Sequence, residues 1–109
     1  MDEDFIKFIR DWCKEQKIIN RCKTNFWKCF EAYKEASLKE FSEVFRNENR
    51  SCVSIVLDKI CLCLNYYCDY GKPTIQIDFY ILLKEKQIGW YREIYFTNGE
   101  FIDEFFVIE

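Results

Sequence analysis

The clearest alternation of apolar and polar positions lies at the C-terminal end of the chain, where residues 89–109 read GWYREIYFTNGEFIDEFFVIE. This stretch predicts two β-strands, because side chains that repeat with a period of two alternate between the faces of a sheet. Asn98-Gly99 lies between the strands and favours a two-residue hairpin loop, since a type I′ turn needs positive φ at both central positions. Counting outward from that loop pairs Glu93 with Glu104.

A third strand is predicted for Thr74–Leu83, TIQIDFYILL, because its odd-numbered positions are all apolar. Residues 84–87 form a polar connection of hairpin length, and we expect Leu83 to pair with Ile88. In this register the apolar row shares a face with Trp90. A slip by one residue would turn the whole row towards water, which favours the register.

The same register predicts a row of three carboxylates across the sheet, with Asp78 opposite Glu93 and Glu93 opposite Glu104. Directly opposed like charges are unfavourable by about 0.2–1 kcal/mol per pair, so solvent, a cation or a basic partner is expected beside them. Three interpretations stay open: a solvated outer face, a partner-binding face, and a metal or catalytic site. The candidate partner-binding residues share this predicted acidic, tyrosine-containing face and are Asp78, Tyr80, Tyr91, Glu93, Tyr95, Glu100 and Glu104.

Apolar residues at helical spacing predict two helices in the first half of the chain. The first is expected over residues 2–19, followed by a break at residues 20–23. The second begins at Thr24 or Asn25, which are suitable N-caps, and ends at Arg46. The core-facing stripes comprise Phe5, Ile9, Trp12, Cys13 and Gln16 in the first helix and Phe26, Phe30, Tyr33, Ser37, Phe41 and Val44 in the second.

Residues 51–68 fit two interpretations. Val53, Val56, Leu57 and Ile60 follow a helical spacing with Ser51 as N-cap, and a helix is favoured. The alternative is one or two further strands beside Thr74–Leu83, since the later part of the segment alternates and is rich in β-branched and aromatic residues. The composition of residues 69–73 predicts a turn.

These patterns predict one α+β domain over residues 1–109, with N-terminal helices packed on one face of a C-terminal antiparallel meander sheet of three or more strands. The chain is 50% hydrophobic and 19% aromatic, which is enough to fill one core. No run of about 18 uncharged apolar residues is present, so no membrane span is expected. The start, MDEDFIKF, has acids where a signal peptide has basic residues, and a cytoplasmic location is expected.

Acidic residues concentrate in the predicted sheet. The net charge is −3, and residues 74–109 hold three basic against seven acidic residues. Phosphate binding needs clustered Lys and Arg, so direct nucleic-acid binding by this half is not expected. The charge favours a basic protein partner that associates quickly and in a salt-sensitive way.

The chain has seven cysteines, no histidine and three glycines. We expect reduced, mostly buried thiols, with a redox or disulfide role near Cys61, Cys63 and Cys68 as the alternative. The absence of histidine removes Ser-His-Asp and Cys-His catalysis, and no phosphate-cradling loop is present. We therefore expect neither enzymatic activity nor a bound cofactor or metal.

The tail GWYREIYFTNGEFIDEFFVIE, preceded by TIQIDFYILL, resembles the closing strands of small bacterial immunity proteins. These are the antidotes encoded beside polymorphic or contact-dependent toxins. The resemblance covers about the last third of the chain and is nearest to immunity proteins of the NTF2-like type. It implies a fold in which N-terminal helices pack on a curved antiparallel sheet.

The resemblance also implies a function. Toxins of this class are often nucleases with basic active sites, and an antidote blocks them by presenting carboxylates that stand in for phosphates. A cytoplasmic immunity protein that is monomeric when free and binds a basic toxin domain is therefore expected. Two alternatives stay open: an NTF2-like pocket that binds a small ligand beside Asp78 and Glu93, and an adaptor that dimerises through its sheet.

Overall fold

A computed structural model describes residues 3–45, 50–64 and 70–109 of the chain. Three helices come first, and a short 3-10 turn at Arg50–Cys52 leads into four strands. The helices are α1 Glu3–Glu15, α2 Ile18–Ala36 and α3 Leu38–Phe45. The strands are β1 Val53–Cys63, β2 Thr74–Leu83, β3 Lys86–Phe96 and β4 Phe101–Ile108.

The four strands form one antiparallel sheet in the order β1-β2-β3-β4, which is a meander. The predicted α+β class is therefore confirmed. We call the face that carries Ile75, Ile77, Phe79 and Ile81 the inner face, and the opposite one the outer face. Among the helices in the described part of the chain, none is both long and apolar enough to cross a membrane.

The core lies between the helices and the inner face. Phe26 of α2 makes an edge contact with Tyr91 at 5.5 Å between ring centroids and stacks on Phe106 at 5.7 Å. Trp12 of α1 makes a similar edge contact with Tyr95 at 5.8 Å. The buried cluster comprises Trp12, Ile18, Cys22, Phe26, Phe30, Phe41, Phe45, Val53, Ile75, Ile77, Phe79, Ile81, Tyr91 and Tyr95.

The break between the first two helices lies earlier than predicted. The chain turns at Lys17, whose φ of 52° is left-handed, and residues 20–23 are helical. The cause is the core: Ile18, Cys22 and Phe26 follow one another at intervals of four, and all three are fully buried. Their shared stripe extends α2 towards its N-terminus through the segment that was expected to break.

The second predicted helix is divided. α2 ends at Ala36, because the φ of −141° and ψ of 54° at the following Ser37 are not helical, and α3 follows at once. Phe41 of α3 thereby reaches the core and packs edge-on against Phe30 at 5.2 Å. The predicted end at Arg46 lies outside the described residues.

Residues 53–63 form β1, so the favoured helix over residues 51–68 is wrong and the strand interpretation is right for this part. Ile55, Ile60 and Leu62 pair across the sheet with the inner-face row of β2. Pairing with β2 outweighs the helical spacing, because tertiary contacts routinely override local pattern. Residues 65–68 of the same prediction lie outside the described residues.

The register between β2 and β3 differs from the predicted one. Lys84 and Glu85 form a two-residue loop with φ of 49° and 68°, so Leu83 pairs with Lys86 instead of Ile88. Ile88 is then an extra residue in β3, which shifts the pairing again. Next to it only glycine fits at position 89, since a Cβ there would overlap the backbone of β4.

The β3–β4 loop also differs, although the predicted pairing of Glu93 with Glu104 is confirmed. Gly99 N donates to Phe96 O, and Phe96 N donates to Glu100 O, each at 2.9 Å. The loop therefore has three residues, with Gly99 at a φ of 93°. The predicted pairing of Glu93 with Glu104 still holds, because residue 102 is an extra residue in β4 that compensates for the longer loop.

Candidate functional site

The structure divides the candidate partner-binding residues between the two faces and the edge of the sheet. Asp78 pairs with Arg92 and not with Glu93, so the predicted row of three carboxylates is wrong. The residues that lie on the outer face are Asp78 and Tyr80, those buried on the inner face are Tyr91, Glu93 and Tyr95, and those exposed near or on β4 are Glu100 and Glu104. Since Asp78 and Glu93 lie on opposite faces, they do not line one pocket.

An ion pair lies at the centre of the outer face. Arg92 donates from Nε to Asp78 Oδ1 at 2.8 Å and from Nη2 to Oδ2 at 3.1 Å, a bidentate contact. Gln76 Nε2 donates to Oδ2 at 3.2 Å, and Lys59 Nζ lies 3.9 Å away. The hydrogen bond to Asp78 raises the pKa of Arg92. Asp78 is only 5% exposed, and its buried carboxylate is paired with these three side chains.

Apolar side chains surround this ion pair. Tyr80 lies between Val56 of β1 and Trp90 of β3 in one cross-strand row, and Phe105 of β4 is opposite Arg92. Val56 is 47% exposed, and Tyr80 and Phe105 are each 38% exposed. The Arg92 guanidinium lies 4.8 Å from the centre of the Trp90 ring. The outer face thus presents aromatic rings and a paired arginine to solvent.

The helices pack on the other side of the sheet. Their aromatic contacts go to Tyr91, Tyr95 and Phe106, all of which lie on the inner face. No described helix covers the residues around Asp78. The predicted β2–β3 register puts Trp90 with the core row, and this register is wrong. For that reason Trp90, Arg92 and Phe105 are not among the predicted surface residues.

A carboxyl group is buried on the inner face. Glu93 is fully buried, and its Oε2 accepts a hydrogen bond from Tyr91 at 2.5 Å while its Oε1 accepts one from Tyr95. Asn25 Nδ2 of α2 lies 3.4 Å from Oε1. The Tyr91 hydroxyl also lies 2.9 Å from Glu104 Oε2. The predicted Glu93–Glu104 pair is therefore linked through a tyrosine.

Two thiols of α2 lie beside this carboxyl group. Burial, and after it the hydrogen bond and charge of Glu104, raise the pKa of Cys29 to about 12. Burial and then Glu93 raise the pKa of Cys22. Both groups are thiols at neutral pH, and a thiol is a weak nucleophile and a weak metal ligand.

An open groove of about 540 Å³ lies between α2 and the hairpin of β3 and β4. Its charged lining residues are Lys17, Arg21 and Glu104. The Arg21 guanidinium is held in place, because it donates to Gly99 O at 3.2 Å and lies 4.7 Å from the centre of the Tyr95 ring. Across residues 3–45, 50–64 and 70–109, no group of three His, Cys, Asp or Glu side chains is placed to hold a metal ion.

Comparisons with known proteins identify no relative of this chain. No protein family, no curated protein and no solved structure matches the chain.

The buried tyrosines predict a loss of stability at alkaline pH. Burial and the hydrogen bonds to Glu93 raise the pKa of Tyr91 and Tyr95 above the ordinary value of 10.0. The unfolded chain therefore releases protons above about pH 10 that the folded chain keeps, and each tyrosine lowers the free energy of unfolding by about 1.4 kcal/mol per pH unit there. Urea unfolding at a series of pH values measures this slope.

The tyrosinate absorbance of the folded protein is the control for this prediction. Tyr91 and Tyr95 should ionise only together with unfolding. Ionisation of every tyrosine while the protein is still folded would contradict it.

Proposed function

We propose that this chain is an immunity protein that neutralises one cognate toxin domain by binding it directly. The observation that carries the proposal is the outer face of the sheet, where Tyr80, Trp90 and Phe105 surround the Asp78–Arg92 ion pair. Tyrosine, tryptophan and arginine are the residue types that dominate the binding energy of protein interfaces. The resemblance of the C-terminal strands to those of immunity proteins supplies the class of partner.

The energetics of this face suit docking. Burying a large apolar side chain contributes about 1.5–3 kcal/mol, and Tyr80 and Phe105 are both partly exposed in the free protein. Arg92 is held by two hydrogen bonds to Asp78 and by the Trp90 ring, so its side chain loses little freedom on binding. Because Asp78 is already paired, a partner that covers it leaves no unpaired carboxylate.

The charge of residues 74–109 suits a basic partner. Residues 74–109 hold seven acidic and three basic residues, and a nuclease domain with a basic active site is the proposed target. Such a pair associates quickly at low salt and more slowly as salt rises, because charged groups steer the encounter. The proposed place of action is the cytoplasm, and the free protein is proposed to be a monomer.

Affinity capture from the native host tests this proposal. We expect the tagged protein to retain one basic protein domain at near-stoichiometric yield, and to retain less of it at moderate salt than at low salt. The double variant Tyr80→Ala/Phe105→Ala should lose most of the captured domain, because it removes two exposed rings from the outer face. Mass spectrometry identifies and quantifies the captured protein.

Phe8→Ala is the matched control, since Phe8 is 48% exposed and belongs to α1 rather than to the outer face of the sheet. It should capture as much as the wild type, and circular dichroism should show that all variants are folded. Equal capture by the folded double variant and the control would contradict binding through the outer face. Recovery of the tagged protein alone would contradict the proposed function.

A further inference from the structure

The free edge of β4 is the feature that the proposed outer-face contact leaves unused. β4 is the last strand in the order of the sheet. Glu109 N donates to Ile88 O at 2.9 Å, so the backbone N–H and C=O groups of every second residue before it also point towards β3. By the same alternation, those of Glu104, Phe106 and Ile108 point away from β3, where the described structure has no strand. Of these, the Glu104 N–H donates to Asp103 Oδ1 at 2.8 Å.

The charges along this edge have one sign. Residues 100–109 contain Glu100, Asp103, Glu104 and Glu109 and no Lys or Arg, which gives a net charge of −4. The opposite edge is different: β1 carries one acid and one base, Asp58 and Lys59, and an irregularity at that point interrupts its pairing with β2. Bulges and charges both hinder pairing between copies of a protein.

We propose that the free edge of β4 binds an extended, lysine- or arginine-rich segment of the partner as a fifth antiparallel strand. Backbone groups of an exposed sheet edge supply the hydrogen bonds of such strand addition, and side chains at alternate positions supply the selectivity. The identity of the partner as a toxin domain rests on the proposed function, but the chemistry of the segment follows from the edge itself.

Charge decides between this occupant and a second copy of the chain. Two β4 edges side by side would bring eight carboxylates together with no intervening base, and opposed like charges destabilise a strand pair. A basic segment instead meets Asp103 and Phe105 on the outer side and Glu104 on the inner side. On the inner side Lys17 and Arg21 line the groove together with Glu104, so the apolar side chains of the segment are expected to face the groove and its basic side chains the outer side.

Hydrogen exchange of the isotope-labelled protein tests this inference without the toxin. The probe is the acetylated and amidated peptide Lys-Val-Lys-Val-Lys-Val-Lys. At saturation we expect the amides of Phe106 and Ile108 to exchange at least about tenfold more slowly, since each gains a hydrogen-bond acceptor. The amide of Glu104 should change less, because it already donates to Asp103 Oδ1. The amides of Phe105 and Val107, which already point to β3, should change little. A peptide with proline at the central valine, which lacks one N–H, should protect less.

A charge-reversal pair separates the edge from net charge. Glu100→Lys/Glu109→Lys should weaken peptide binding by about tenfold or more, because it reverses two of the four edge charges. Glu15→Lys/Glu35→Lys changes the net charge by the same amount at exposed helix positions. This control pair should weaken peptide binding by less than about threefold.

Absent protection of the outward amides, or equal effects of the two charge-reversal pairs, would overturn strand addition at β4. Capture of a toxin together with absent protection would remove this inference and leave the proposed function standing. Protection of these amides by the peptide, without capture of any toxin, would support strand addition and contradict the proposed function.

Discussion

Phe26→Ala is expected to lower the free energy of unfolding by about 3–5 kcal/mol, the usual cost of deleting a buried aromatic ring. Phe26 is fully buried between helix and sheet, and its ring contacts Trp27, Phe30, Tyr91 and Phe106 within 6.3 Å between centroids. The cavity would lie where α2 meets the inner face. The free energy of unfolding of a small domain is only about 5–15 kcal/mol, so this single change removes a large share of the stability. Urea unfolding measures it.

The control for Phe26 is again Phe8→Ala, which removes the same ring from an exposed position on α1. Its free energy of unfolding should change by less than about 0.5–1 kcal/mol. A similar loss in both variants would mean that α2 does not pack on the sheet through Phe26.

Tyr91→Phe/Tyr95→Phe is expected to lower the free energy of unfolding by about 3–5 kcal/mol, because it leaves the buried Glu93 carboxylate without its two tyrosine donors. Asn25 Nδ2, at 3.4 Å, and the Cys22 thiol would still lie beside it, and both are weaker donors to a carboxylate than a tyrosine hydroxyl at the observed distances. Each single variant should lose less than the double variant. Urea unfolding of the four proteins of this cycle gives the coupling between the two hydroxyls.

The matched test adds Glu93→Met to the double variant. Methionine has a similar length and no charge, so it removes the need for donors, and replacing a buried polar group together with its partners is often nearly neutral. The triple variant should therefore be more stable than the double variant. A triple variant that is no more stable would mean that the cost comes from lost packing rather than from an unsatisfied carboxylate.

The α+β class could be predicted from the sequence because β2 carries a clear period of two over its ten residues, while the first half of the chain has apolar residues at helical spacing. The β2–β3 register could not, because Lys84 and Glu85 adopt positive φ without the Asn or Gly that usually marks such a loop. The extra residue Ile88 then shifted the pairing a second time. Neither feature leaves a local pattern in the sequence, and each shifts which residues lie opposite one another.

The candidate site was predicted in part. The pairing of Glu93 with Glu104 followed from the hairpin, because residue 102 as an extra residue compensates for the longer loop. Which face the helices cover was not predictable from alternation, since tyrosines such as Tyr91 and Tyr95 suit either a surface or a core. In the structure the buried Glu93 carboxyl group accepts hydrogen bonds from both of their hydroxyl groups.

The strand β1 was obscured for a related reason. The irregularity between Leu57 and Lys59 breaks the period of two in the middle of the strand, and the residues on either side then fit a helical spacing as well. Only pairing with Ile75, Ile77 and Ile81 of β2 separates the two interpretations.

The most direct test of the proposed function is the activity of the captured toxin domain, assayed with increasing amounts of this protein. If the domain is a nuclease, cleavage of nucleic acid is the activity to follow. Direct neutralisation predicts that activity falls to background at about one equivalent, because a tight one-to-one complex is saturated there. Full activity in the presence of a large excess of the folded protein would contradict the proposal.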